Sequence, residues 1–99
     1  MVTQEFRKIV AWLRKNFPID SGVVVKRALS KKCHGITYWN GQQFYIRIDS
    51  QQDDASQIDA LLHEWSHAVA INDAYNHREP WGIIYAKIFT AFTNNETLQ

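Results

Sequence analysis

His63, Glu64 and His67 fall within five residues, as His63-Glu64-Trp65-Ser66-His67, in a stretch whose apolar residues recur at helical spacing. On a helix, side chains four apart share a face, with Cβ atoms about 5–6 Å apart. Two imidazoles so placed reach one zinc ion, whose bonds to histidine nitrogen are about 2.0–2.1 Å long. Glu64 follows His63 directly, so it projects beside such an ion, where a carboxylate holds water and takes its proton. Zinc lowers the pKa of a bound water from about 16 to about 7, and the trio therefore predicts hydrolysis at neutral pH. By average residue usage, such a match arises by chance in roughly one chain of this length in a few hundred. An apolar helix makes chance a poorer explanation, because a core-facing surface otherwise excludes a histidine pair.

A catalytic zinc takes three protein ligands and an open position, whereas a structural zinc takes four. His77, ten residues after His67, is the leading candidate for the third ligand. Asp73 competes, six residues after His67, although sites that use this position turn the chain at a midway glycine and here that residue is Ala70. Glu79 is a weaker choice. A four-ligand structural site would have to draw on Cys33, His34 and His77.

The elements that position these residues are legible in outline. Phe6, Ile9, Val10, Leu13 and Phe17 predict an amphipathic helix over about residues 3–16, ended by Pro18. Val23 to Leu29 reads as a strand. Ile36 to Trp39 and Gln43 to Asp49 flank Asn40-Gly41, a favoured tight-turn pair, and so predict a hairpin. Phe44, Ile46 and Ile48 alternate with polar neighbours, as in a half-buried strand. Three antiparallel strands are expected, with Phe44–Asp49 left as a free edge along which an extended substrate could pair. Asp53 or Asp54 suits the cap of the metal helix, and Ser56 with Asp59 is another possible cap pair. The helix itself presents Ile58, Leu61, Leu62, Trp65, Ala68 and Val69 to the core. Pro80 suits the first turn of a final helix, with Ile83, Ile84, Ile88 and Phe92 inward. The expected fold is α+β, a single compact zincin-like domain over 1–99.

His63-Glu64-Trp65-Ser66-His67, a short polar segment and then His77-Arg78-Glu79-Pro80-Trp81 resemble the signature of the SprT-like zinc metallopeptidases. The stretch Trp81-Gly82-Ile83-Ile84-Tyr85-Ala86 is similar to their small phage and bacterial members. The motif resemblance covers about residues 60 to 90. It implies zinc as cofactor, His63, His67 and His77 as its ligands, Glu64 as catalytic base, and a protein or peptide as substrate. Larger members add a cysteine zinc ribbon or DNA-binding elements that these 99 residues do not contain. Trp81 is expected in the core, with a bracing role toward His77 as the alternative. Tyr75 and Tyr85 are candidate donors to a developing oxyanion, although a structural role is the simpler reading for each. Cys33 and His34, beside a strand, are not expected to form a site.

Composition sets the remaining bounds. The chain is 45% hydrophobic and 21% charged, in the globular range. Net charge is +1, but residues 1–50 hold nine Lys/Arg against three Asp/Glu, and residues 51–99 hold two against seven. The basic residues pair as Arg7-Lys8, Arg14-Lys15, Lys26-Arg27 and Lys31-Lys32. A solvated surface is the plain explanation, and weak nucleic-acid association through this half is the other. A zinc-stabilised binding module or a DNA-associated adaptor therefore stands as the alternative to an enzyme. One cysteine rules out an internal disulfide. With no bilayer-length apolar run and no signal-peptide pattern, a cytoplasmic protein without membrane association is expected.

Overall fold

The computed structural model describes residues 2–29, 33–73, 81–95 and 98, with side chains from residue 5 onward except those of 72 and 73. The order is α1 (Val2–Asn16), β1 (Val23–Ala28), β2 (Gly35–Trp39), β3 (Phe44–Asp49), α2 (Asp54–Asp73) and α3 (Trp81–Thr93). This is a compact α+β arrangement: an N-terminal helix, a small sheet and two further helices.

The helix ends follow from local chemistry. α1 stops ahead of Pro18, and its last turn closes with Phe17 N–H donating to Leu13 O at 2.8 Å. Asp53 caps α2: its Oδ1 accepts from Ser56 N at 2.8 Å and its carbonyl from Gln57 N at 2.9 Å. That acceptance favours the ionised carboxyl and holds the Asp53 pKa below the ordinary value. The Ser56–Asp59 alternative is not the cap. Pro80 lies outside the described residues.

The sheet differs from the expected one. β3 is central and the order is β1-β3-β2, with β1 parallel to β3 and β2 antiparallel to it. Phe44–Asp49 is thus paired on both sides and offers no free edge; the edges are β1 and β2. Side-chain alternation reports which face a residue occupies, not which strand lies beside it. The β2–β3 hairpin forms as expected, but over a four-residue loop. Asn40 N donates to Gln43 O, the Asn40 side-chain oxygen accepts from Gln42 N and Gln43 N at 2.8 Å each, and Gly41 takes a φ of 101°.

Paired residues point to the same side, so the face bearing Phe44, Ile46 and Ile48 also bears Val23, Val25, Gly35 and Thr37. α2 crosses this face over β2 and β3, and α3 packs on α2. α1 lies beside α2, sending Phe6, Ile9 and Leu13 into the same core. Trp65 is fully buried at its centre, and its indole N–H donates to Phe17 O at 2.9 Å, joining α2 to the end of α1. On α3, Ile84 and Ile88 are buried and Phe92 packs against the core, but Ile83 is 48% exposed, contrary to its expected inward placement. No helix among the described residues is long and apolar enough to cross a membrane.

Candidate functional site

The five-residue motif divides around the axis of α2. Trp65 and Ser66 turn into the core, where the Ser66 hydroxyl donates to Leu62 O at 2.6 Å. His63 and His67 look out from the helix, one turn apart. Their Nε2 atoms are 3.2 Å from each other, with ring planes at 72°. At that distance the nitrogens either share one proton or direct both lone pairs at a single cation. Burial lowers the His67 pKa, with His63 adding to the effect and Glu64 opposing it. The ring is therefore neutral at neutral pH, the form that ligates a metal.

Glu64 lies between α2 and β2 and is 8% exposed. Thr37, on the inward face of β2, donates to Glu64 Oε1 at 2.6 Å and also approaches Glu64 O at 2.9 Å. The other carboxylate oxygen, Oε2, lies 3.9 Å from His63 Nε2. One oxygen is thus anchored to the sheet while the other faces the histidine pair. Nothing in the motif names Thr37; its one sequence signal is a polar side chain facing inward on β2, opposite Ile46.

β2 approaches α2 this closely because residue 35 is glycine. A Cβ there would stand 3.0 Å from Glu64 Cγ and 3.1 Å from Ile48 Cδ1. Ile48 is core and Glu64 is tethered, so neither yields easily. Gly35→Ala is expected to destabilise the fold by about 1–3 kcal/mol, the usual range for overpacking. Chemical denaturation would measure this, and a change within about 0.5 kcal/mol, typical of an open surface position, would contradict the close-approach account.

Trp81 begins α3 and packs on the histidines instead of entering the core. Its ring stacks on His67 at 5.0 Å and 19°, meets His63 edge-on at 4.8 Å, and its N–H approaches His63 O at 3.3 Å. Tyr85 stacks behind it at 5.2 Å. The Tyr85 hydroxyl donates to Asp59 Oδ1 at 2.9 Å, and burial together with that carboxylate raises its pKa. This commitment to Asp59 fits the structural role, not an oxyanion donor.

A cleft of about 530 Å³ runs from His63 and Glu64 along the first half of α2, with His34, Gly35 and Gln52 on its opposite side. His34, which its place beside a strand does not predict to form a site, helps form this wall, its Nδ1 lying 2.8 Å from the Gln52 side-chain oxygen. Cys33 is exposed.

Among the described residues, no three His, Cys, Asp or Glu side chains cluster well enough to hold a metal ion. The pair His63 and His67 supplies two suitable nitrogens. His77, Tyr75 and Glu79, and the side chain of Asp73, lie outside the described residues, as do Lys31 and Lys32. No protein-family model matches this chain, and no curated protein matches it either. The SprT-like resemblance therefore rests on the motif residues themselves.

Proposed function

We propose that this chain is a zinc-dependent peptidase of the SprT-like type, a small zincin-like domain in which Glu64 is the general base. His63, His67 and His77 are its proposed ligands, with Asp73 the competitor for the third position. The carrying observation is the 3.2 Å separation of the two Nε2 atoms. Two nitrogens bound to one tetrahedral zinc at about 2.0–2.1 Å lie about 3.3–3.4 Å apart, so the pair is spaced for that ion. Zinc bound there would polarise a peptide carbonyl and acidify water.

The chain's own residues supply the remaining steps. Thr37 fixes one Glu64 oxygen and leaves the other to take a proton from the attacking water and return it to the leaving amine. Trp81 limits rotation of both imidazoles, which favours one ligand geometry. Among the described residues, the sheet edge nearest Glu64 is β2, not β3, so an extended substrate is proposed to pair along Gly35–Trp39 and enter the adjoining cleft.

Protein purified without chelators should carry about one zinc per chain by elemental analysis. His67→Ala should lose it, and His77→Ala should weaken binding about tenfold or more beyond the effect of Asp73→Ala. A metal-free wild-type protein of equal stability would overturn the reading. A reversed order of the last two variants would move the third ligand to Asp73.

A further inference from the structure

We propose that the groove between α1 and β1 is an anion site for a ligand bearing more than one phosphoryl group, held by Arg7, Arg14 and Arg27. This groove has a volume of about 270 Å³ and is lined by those three arginines with Phe6, Val10 and Val25. It shares no lining residue with the cleft at His63 and Glu64. Among the described residues, no carboxylate lines it, and three positively charged side chains border one concavity whose floor is apolar and poorly screening.

Two of the three come from α1 and the third from β1. Arg7 and Arg14 are seven residues apart on α1 and both exposed, which sets their Cα atoms about 10.5 Å apart along the axis. Arg27 reaches in from β1, its guanidinium carbon 4.9 Å above the Phe6 ring. That contact orients the guanidinium before any ligand arrives. A guanidinium fork matches phosphate oxygens two at a time. A phosphoryl group offers two non-bridging acceptor oxygens within a chain and three at its end, set tetrahedrally, so one group can engage two forks where a planar carboxylate commonly engages one. The separation between Arg7 and Arg14 favours a ligand with several such groups. Lys8 and Lys15, adjacent to these arginines in sequence, do not line the groove.

Binding of a labelled short oligothymidylate, with tripolyphosphate and a glutamate peptide as competitors, tests the site at low salt, roughly 20 mM, where screening is weak. Binding of the oligonucleotide, of tripolyphosphate, or of both supports the site and identifies whether the source is a nucleic-acid backbone or a free oligophosphate. Arg7→Gln with Arg14→Gln should weaken that binding about tenfold or more. Lys8→Gln with Lys15→Gln removes the same charge from exposed positions of the same helix outside the groove, so it should weaken binding by a smaller factor than the arginine pair. The gap should widen at about 150 mM salt, where charges beyond about 8 Å are largely screened. Glutamine is a good helix former, so both pairs should keep α1 intact. Failure of both phosphoryl ligands to bind, equal losses from the two variant pairs, or a glutamate peptide binding as tightly as tripolyphosphate would each overturn the proposal.

Discussion

Glu64→Gln is expected to lower kcat/KM for peptide hydrolysis by about 10²–10⁴, the usual contribution of a general base, while leaving zinc content and fold in place. The amide is close in shape to the carboxylate, and its oxygen can still accept the Thr37 hydrogen bond seen at 2.6 Å. What is lost is a group that can take and return a proton. The buried position makes the substitution informative, because an 8%-exposed side chain held to β2 has little room to adopt another role. Kinetics with a peptide substrate, elemental analysis and a thermal melt on the same preparation separate the possible causes. An unchanged rate would remove Glu64 as the base; a lost rate with lost zinc would instead assign it to metal retention.

Trp65→Ala is expected to cost about 3–5 kcal/mol, the range for emptying a large aromatic site in a core. Trp65 is fully buried in the core cluster to which α1, the sheet and α2 all contribute. Its removal also leaves Phe17 O without the indole N–H that reaches it at 2.9 Å, a further loss of about 1 kcal/mol. Small domains are stable by about 5–15 kcal/mol, so much of the margin would go. Trp65→Phe should cost less, since it retains most of the apolar volume and loses the hydrogen bond. Urea titrations of both variants check the order. A loss under about 1 kcal/mol for the alanine variant would show that the site collapses or that Trp65 is not a keystone of the core.

These two expectations meet in one motif. The histidines and the glutamate were conspicuous because their chemistry is unusual on an apolar helix. The intervening Trp65 and Ser66 are set by the core, and helical periodicity predicts the burial of Trp65 directly. α1, α2, the β2–β3 hairpin and the cap at Asp53 were similarly legible, because each depends on interactions within a few residues. Ile83 is exposed where an inward position is expected, because three isoleucines and a phenylalanine on one short helix cannot all face one neighbour, and sequence does not say where that neighbour lies.

The amino-acid order by itself therefore determined the local elements, the His63–Glu64–His67 constellation and the unequal charge of the two halves. Tertiary structure decided that β3 is central and β2 is the edge beside Glu64, since strand order depends on long-range pairing that alternation does not encode. It also brought Thr37 to Glu64, Trp81 to both histidines, and Arg27 across to Arg7 and Arg14. Those approaches join residues 27, 18, 14, 20 and 13 positions apart in sequence. At such separations, only the folded backbone specifies which side chains meet.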